Sequence, residues 1–270
     1  MHSSRFHPSA PPPGVLVFAA SDPVSGAGVQ ADLLTLAALG CHPTTAITAL
    51  TVQDTVGVTS VYPVAAEIVD QQARAVLADM PITAFKVGVL GSVENVAAVA
   101  AIAADYPDIP LVLDPVLASG RGDAFADDEL IAALIEHLFP RAALITPNTV
   151  EARRLTAMDH PDDPEQIAAR LLACGPRHAL LTGAHEPGDS VCNRLYDANG
   201  LLRADCWPRL PGEFHGSGCT LASACAAGLA QGQNMPLAVR AAQVFTWQSL
   251  ARAFRPGQGQ YLPWRLFHGD

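Results

Sequence analysis

The segment with the clearest chemical potential is His215-Gly216-Ser217-Gly218-Cys219-Thr220, which leads into an Ala- and Leu-rich stretch without Pro. That stretch predicts a buried helix. Two glycines before a helix let the backbone turn and leave unpaired N–H groups at the positive end of the helix dipole. Such a nest binds anions, phosphate above all. The same field would stabilise a thiolate, so we expect a lowered pKa for Cys219. The alternative is a glycine turn before a core helix, with Cys219 as a small apolar residue.

A second glycine-rich segment, Gly26-Ala27-Gly28-Val29-Gln30-Ala31, follows a predicted strand and opens a predicted helix. Its G-x-G-x-x-A spacing is typical of dinucleotide-binding loops, and Asp54 is a candidate for the acid expected after the next strand. A dinucleotide-binding oxidoreductase is therefore one alternative. Against it, Asp22-Pro23 places a carboxylate where a pyrophosphate would approach, and this interpretation ignores the loop at 216–218.

Three polar side chains after predicted strands are candidates for a functional role, and two of them, Asn148 and Glu151, for magnesium binding. Asp114 ends a strand directly before Pro115, and Asn148 and Glu151 lie at a predicted helix start with a spacing that projects them to one side. Carboxylate and amide oxygens suit a Mg²⁺ ion that keeps several waters. The alternative for Asn148 and Glu151 is an ordinary cap with an acid in the first turn. Asp114 is the better candidate for a functional carboxylate.

Short apolar runs alternate with helical patterns, which indicates an α/β fold with a mostly parallel sheet between helix layers. A hairpin is predicted around Asn199-Gly200. In such folds ligands bind beyond the carboxyl ends of the parallel strands, where this chain has several polar loops. The predicted strands are 15–19, 44–50, 84–87, 111–113, 143–145 and 179–181, with helices at 29–39, 67–77, 93–104 and 128–138 and two more closing the chain.

Composition limits the class of protein. The chain has 270 residues, half of them apolar, and a net charge of −10. This length allows one large domain or two small ones, and the lack of an internal repeat or linker favours one domain over 15–270. Ser and Pro residues without an apolar run predict a disordered tail at 1–14. The negative charge argues against nucleic acid as a partner. No apolar run approaches the roughly 20 residues of a membrane helix, and the N-terminus does not resemble a signal peptide, so we expect a cytoplasmic protein.

The six cysteines show no zinc-binding spacing, and cytosolic thiols are the default expectation. Cys192 and Cys206 flank the predicted hairpin turn almost symmetrically, so they are placed to face each other. We interpret that pair as packing.

Taken together, the motifs resemble those of the hydroxymethylpyrimidine/phosphomethylpyrimidine kinases of thiamine biosynthesis, in the ribokinase-like superfamily. The resemblance extends from about residue 15 to about residue 254. It depends on SDP at 21–23, GAGVQAD at 26–32, ALTVQDTVGV at 49–58, KVGVLG at 86–91, DPV at 114–116, TPN at 146–148 with Glu151, and HGSGCT at 215–220.

The resemblance implies a ribokinase-like three-layer sandwich that uses ATP and Mg²⁺ to phosphorylate a pyrimidine carrying a hydroxymethyl or phosphomethyl group. By similarity, Ala27, Asp32 and Gln53 hold the pyrimidine, and Val89 takes the place of a Met that commonly lines this pocket. An amide or carboxylate suits the adjacent donor and acceptor of a 4-aminopyrimidine.

The resemblance also implies that the nest of Gly216, Ser217 and Gly218 cradles the charge that develops during phosphoryl transfer. Cys219 stands where related sugar kinases have a catalytic Asp; whether the thiol is a base or only lies beside the nest stays open. By similarity, Asp114 and Glu151 bind the metal, and Thr182, Asn148 and Glu151 serve the ATP side. The family further implies a homodimer.

The chain departs from the family pattern after the sixth predicted strand. Many relatives have Lys-Gly-Gly-His there, whose Lys meets the ATP phosphates, whereas this chain has Thr182-Gly183-Ala184-His185. Lys86 is the only lysine, so a compensating side chain would be an Arg, and Arg121 is a candidate.

Three alternatives remain from the sequence. Pyridoxal is also a hydroxymethyl heteroaromatic compound of similar size, so a pyridoxal kinase is the nearest alternative. A dinucleotide-binding oxidoreductase and a non-catalytic pyrimidine-binding relative, the latter suggested by Thr182, are the others.

Overall fold

A computed structural model describes residues 10–118, 125–157 and 163–267. The described strands form one sheet in the order β3-β2-β1-β4-β5-β6-β7-β8-β9. In chain order these strands are β1 (Gly14–Ser21), β2 (His42–Gln53), β3 (Val58–Pro63), β4 (Ile82–Val87), β5 (Leu111–Leu113), β6 (Ala142–Ile145), β7 (Ala179–Leu181), β8 (Ser190–Asp197) and β9 (Gly200–Pro208). The six central strands run parallel, in the sheet order β2-β1-β4-β5-β6-β7, while β3, β8 and β9 pair antiparallel at the two edges.

Helices connect the parallel strands and close the chain. They are α1 (Gly28–Ala38), α2 (Ala66–Asp79), α3 (Val93–Asp105), α4 (Asp128–Ala133), α5 (Thr149–Thr156), α6 (Pro164–Ala173), α7 (Ser217–Ala230) and α8 (Met235–Ala251). A turn of π-helix at Leu134–Leu138 and a 3-10 turn at Phe139–Arg141 follow α4.

The sheet has an apolar core on each face. Alternate residues of β1 point to opposite sides, so Leu16 and Phe18 join one core while Val15 and Val17 join the other. Helices α2 to α6 cover the first face, and α1, α7 and α8 cover the second. The predicted α/β three-layer sandwich is therefore confirmed.

Some elements differ from the sequence prediction. Strand β3 was not predicted; its pattern is weak because it lies at the sheet edge with mostly half-buried or exposed residues. Helix α6, which starts at Pro164 with Asp163 as cap, was also missed. The helix predicted over 128–138 changes to a π turn at Leu134, shortly before Pro140, whose ring cannot continue a helix.

The predicted hairpin is present, but the cysteine interpretation is wrong for one pair. Cys192 of β8 lies directly opposite Cys206 of β9, and the two form a disulfide with Cα atoms 4.1 Å apart. Cys41, Cys174, Cys219 and Cys225 are free thiols.

At the N-terminus, the tail predicted over 1–14 overlaps β1, which already begins at Gly14. Residues 1–9 lie outside the described part. Across the described ranges, no helix is both long enough and apolar enough to cross a membrane.

Candidate active site

The two glycine loops meet at the carboxyl edge of the sheet. The loop after β1 contains Gly26, and the loop before α7 contains Gly216, whose φ of +82° favours glycine. A Cβ atom on Gly216 would lie only 1.8 Å from the Gly26 carbonyl oxygen. The two backbones are therefore in direct contact, and no other residue type fits at position 216.

Asp22 closes the first glycine loop. Its carboxylate accepts hydrogen bonds from the backbone N–H groups of Val24, Gly26 and Ala27 at 2.7–2.9 Å, and His215 Nε2 lies 2.9 Å from Oδ2. Burial by itself would raise the pKa of Asp22, but the interaction with His215 and the backbone hydrogen bonds lower it below the usual value. Because the loop N–H groups serve this internal carboxylate, the loop does not offer them to a pyrophosphate, and the geometry argues against the oxidoreductase alternative.

Asp32 is paired inside the protein. Its side chain has no solvent exposure, and Lys86 Nζ lies 2.9 Å from Oδ2. The hydroxyl of Ser223, on α7, donates to Oδ1 at 2.7 Å. With both oxygens engaged and buried, Asp32 does not face the rim in this structure. Contact between its carboxylate and the pyrimidine stays a prediction, which this internal pairing does not favour.

Lys86 is a buried cation within the site. Desolvation would lower its pKa, but the charges of Asp32, Cys219 and Asp114 and the hydrogen bond to Asp32 together raise it. The ammonium group is therefore charged at neutral pH. Gly88 leaves room for it, since a Cβ atom there would lie 2.8 Å from Nζ.

Asp114, after β5, faces the N-terminus of α7. A Cβ atom on Gly218 would lie 3.7 Å from Asp114 Oδ1. The hydroxyl of Thr146 lies 3.4 Å from Oδ1, whereas Oδ2 is buried without a hydrogen-bond partner among the described residues. Desolvation raises the pKa of Asp114, although the charge of Lys86 and interactions with the Cys219 thiol and the Thr146 hydroxyl oppose this.

Cys219 does not have the predicted acidic thiol. Desolvation raises its pKa to about 12; Lys86 lowers it, but the charges of Asp114 and Asp32 add to the increase. Burial is therefore the main reason why the thiol does not gain the acidity expected at the start of α7. The thiol is protonated at neutral pH, and the expectation of a lowered pKa is wrong.

Asn148 and Glu151 show the capping alternative considered from the sequence, and their role toward Mg²⁺ stays a prediction. They form a capping box at the start of α5, in which Asn148 accepts from the Val150 and Glu151 N–H groups and Glu151 accepts from Asn148 N–H. Desolvation and the charge of Asp114 raise the pKa of Glu151 to about 8. Glu151 is therefore both a cap and an electrostatic neighbour of Asp114.

Asp114 and Glu151 offer carboxylate oxygens that suit a hydrated cation. In the described ranges, no cluster of three His, Cys, Asp or Glu side chains could enclose a metal. The orphaned Oδ2 of Asp114 and the raised pKa of Glu151 nevertheless fit a cation that takes few protein ligands and keeps its waters. The donor set is compatible with Mg²⁺.

The remaining predicted acceptor-binding residues follow neighbouring strands. Gln53 ends β2, is half-buried, and makes no side-chain hydrogen bond to the described residues. Val89 follows β4, is half-buried, and its carbonyl accepts from Thr48 Oγ1 at 2.5 Å. With Ala27 at the start of α1, they lie after β2, β4 and β1, which are adjacent in the sheet. Their contact with a pyrimidine stays a prediction.

Thr182 lies beside Asn148, and its predicted role on the ATP side stays a prediction. It bridges Asn148 in parallel register, and its N–H donates to the Pro147 carbonyl at 3.0 Å. Arg121, the predicted compensating cation, lies outside the described residues.

Sequence reasoning missed a guanidinium that organises the loop after β7. Arg209 donates to the carbonyls of Gly188, Ala184 and Glu186 at 2.6, 2.8 and 2.5 Å. It also lines a cavity of about 370 Å³ with Asp189 and Gly212. Because its acceptors are backbone atoms, no residue-type pattern could have identified it.

The architecture has close counterparts among solved kinases. A pyridoxal kinase of Staphylococcus aureus in complex with pyridoxal has a TM-score of 0.85 and 26% identity, covering 93% of each chain. A phosphomethylpyrimidine kinase of Clostridium difficile has a TM-score of 0.77 and 32% identity, covering 88% of this chain and 99% of that one. Fold and site together define a ribokinase-like kinase.

The sequence comparison gives the family. The chain belongs to the phosphomethylpyrimidine kinase family, whose sequence model matches residues 22–264. A hydroxymethylpyrimidine/phosphomethylpyrimidine kinase of Streptomyces coelicolor is 42% identical over 257 residues, which cover 93% of this chain and 94% of that protein.

Proposed function

We propose that this protein transfers the γ-phosphoryl group of ATP to 4-amino-5-hydroxymethyl-2-methylpyrimidine and to its monophosphate, giving the diphosphate. The observation that carries the proposal is the glycine-led N-terminus of α7 facing Asp114, where Gly218 approaches the carboxylate. A helix N-terminus binds phosphate oxygens, and a buried carboxylate opposite it suits a phosphate-bound cation. The pyrimidine assignment follows the sequence relatives, which are more similar to this chain than the pyridoxal kinase is.

Each part of the site has a task in this reaction. The nest at 216–218 stabilises the charge on the transferred group, and phosphoryl transfer depends mainly on such positioning and electrostatics. Lys86, held by Asp32, contributes a fixed buried positive charge. Cys219 follows the nest directly in sequence. Because its thiol keeps its proton at neutral pH, it cannot accept a proton from the acceptor hydroxyl and does not act as a general base.

Mg²⁺ would be held by Asp114 and Glu151 through waters, near Asn148, and Thr182 would contact the ATP side. When bound, the ion neutralises phosphate charge. The orphaned Oδ2 of Asp114 supports this placement, since a buried carboxylate oxygen without a donor is poorly satisfied on its own.

On the acceptor side, the Gln53 amide is proposed to hydrogen-bond the aminopyrimidine, with Ala27 and Val89 lining the same pocket. Its amide has donor and acceptor groups and makes no side-chain hydrogen bond within the described part of the chain.

The assembly and location belong to the same proposal. We expect a cytoplasmic homodimer, as predicted from the sequence. The exposed apolar side chains of Leu50, Val52 and Tyr62 on β2 and β3 support an interface there.

The decisive experiment is a comparison of acceptors. Purified protein is incubated with Mg-ATP and, separately, with the hydroxymethylpyrimidine, its monophosphate and pyridoxal, and each phosphorylated product is quantified. We expect kcat/KM for the pyrimidines to exceed that for pyridoxal at least about tenfold, because a pocket built to hydrogen-bond one acceptor disfavours another. A preference for pyridoxal would establish the alternative kinase, and product from none of the three would favour a non-catalytic binding protein.

A further inference from the structure

The chain that follows α8 returns across both glycine loops. The N–H of His215 donates to the Tyr261 carbonyl at 2.9 Å. Leu262 packs so closely on the first loop that a Cβ atom on Gly26 would lie 2.7 Å from its Cδ2. The segment at 252–267 therefore covers the junction between the loop after β1 and the start of α7.

Arg265 is the polar centre of this covering segment. It is only 3% exposed, and its Nε donates to Thr220 Oγ1 at 2.9 Å. Its Nη2 donates to the Gly26 carbonyl at 2.5 Å and lies 3.5 Å from the Gly216 carbonyl. One guanidinium group thus bonds to the first glycine loop and to the first turn of α7 at once.

The charge of Arg265 has no direct carboxylate partner within the described residues, where its bonds go to carbonyls and a hydroxyl. Desolvation lowers its pKa, while neighbouring negative charges, Asp32 and Asp22 among them, oppose this. Those two carboxylates are already paired with Lys86 and His215. A positive charge therefore lies behind the anion nest, where it adds to the field of the α7 N-terminus.

We propose that Arg265 is a positioning residue for phosphoryl transfer, which locks the two glycine loops together and holds the nest in its anion-binding arrangement. This inference rests on the proposed function and adds a residue that does not touch the substrates. A planar guanidinium with donors in a fixed fork can bridge two loops, whereas an ammonium cannot reproduce that geometry.

Steady-state kinetics of Arg265→Ala and Arg265→Lys, normalised to folded protein, test the proposal. We expect kcat to fall about 100-fold in Arg265→Ala, with KM for ATP and for the pyrimidine changed less than about threefold, because the lost arrangement matters in the transition state. Arg265→Lys should recover little of this loss, whereas added guanidinium ion should partly restore kcat in Arg265→Ala.

The matched control is Arg255→Ala, in the same segment. Arg255 hydrogen-bonds only the carbonyls of Gly259 and Gln258 in the described structure, so its removal should leave kcat within about twofold of wild type and make it insensitive to guanidinium. If Arg265→Ala does not fold, Thr220→Val removes one acceptor of Arg265 and should lower kcat about fivefold.

Amide hydrogen exchange in the substrate-free protein gives a second readout. In Arg265→Ala, exchange should accelerate together at residues 24–28 and 216–220 and stay unchanged in β5. Unchanged kcat per folded enzyme, or unchanged exchange in both loops, would overturn this inference. A wild-type protein that phosphorylates none of the acceptors would contradict the proposed function instead, and the exchange result would still decide the role of Arg265 in joining the loops.

Discussion

At the residue scale, the site consists of buried charges whose partners determine what each can do. Lys86 and Asp32 form an ion pair without solvent exposure, and Ser223 occupies the second oxygen of Asp32. Removing one member of such a pair leaves an uncompensated buried charge and is strongly destabilising. The pair therefore fixes a buried positive charge whose field acts on Asp114.

Glu151 gives this site a pH-dependent stability. Its pKa is raised to about 8 in the folded protein by desolvation and by Asp114. Unfolded chains release this proton near the usual value of about 4.3, so stability falls as pH rises from there to about 8 and the contribution then levels off. Urea unfolding at about pH 5 and pH 8 should show a smaller decrease in Glu151→Gln, which keeps a capping side chain. Equal decreases in both proteins would refute the raised pKa.

Gln53 permits a test of the acceptor pocket. If its amide reads the pyrimidine edge, Gln53→Ala should raise KM for the pyrimidine about tenfold and leave KM for ATP nearly unchanged, because unanswered polar groups cost about 1–3 kcal/mol. Initial rates with each substrate varied in turn measure both constants. Similar increases in the two KM values would show that Gln53 does not bind the pyrimidine specifically.

At the element scale, patterns local in sequence were predictable and long-range pairings were not. The two glycine loops, the parallel strands and the hairpin follow from turn chemistry and periodicity. The bond between Lys86 and Asp32 spans 54 positions, and no sequence spacing indicates it. The Cys219 thiol shows the same limit: its helix start was predicted, but its pKa is raised mainly by burial in the folded protein and further by Asp114 and Asp32, which come from other elements.

The loop after β7 carries the departure from the family pattern. Thr182 bridges Asn148, beside the capping box that includes Glu151. A cation there should meet phosphate charge, so Thr182→Lys should lower KM for ATP or raise kcat about tenfold, measured with saturating pyrimidine. Thr182→Met is the matched uncharged control. Equal kinetics in the two variants would mean that position 182 is not a cation site in this chain.

The β8–β9 hairpin is held by a disulfide next to this loop, since a Cβ atom on Gly183 would lie 2.4 Å from the Cys192 carbonyl. The bridge joins residues 14 apart, and a loop of that length is worth about 3 kcal/mol in the chain-entropy account. Reductant should lower the free energy of unfolding in urea by about this amount. The Cys192→Ser/Cys206→Ser double variant should have a lower free energy of unfolding than wild type, and reductant should not change it. If reductant does not change the value for wild type either, the bridge contributes nothing to stability.

At the scale of the whole molecule, the sheet presents two different surfaces, a charged one at the carboxyl ends of its strands and an apolar one at the β3 edge. Its carboxyl edge gathers the charged site, and the covering segment joins the two glycine loops of that site through Arg265. Sequence order predicted the edge because parallel strands end together. The role of Arg265 was not predictable from the sequence. Its hydrogen-bond partners in this structure are backbone carbonyls and one hydroxyl, and such groups occur throughout any chain.

A second surface feature is the edge of the sheet formed by β3 and its neighbour β2, where apolar side chains are exposed. Leu50 and Tyr62 face each other in register and are 53% and 58% exposed. An edge strand with apolar side chains favours association, so we expect a homodimer that Leu50→Asp converts to monomer. Light scattering after size-exclusion chromatography measures both masses. Leu237→Asp, equally exposed at 58% but on α8, should leave the dimer intact. A wild-type monomer would rule out the dimer, whereas a dimer that survives Leu50→Asp would place the interface elsewhere.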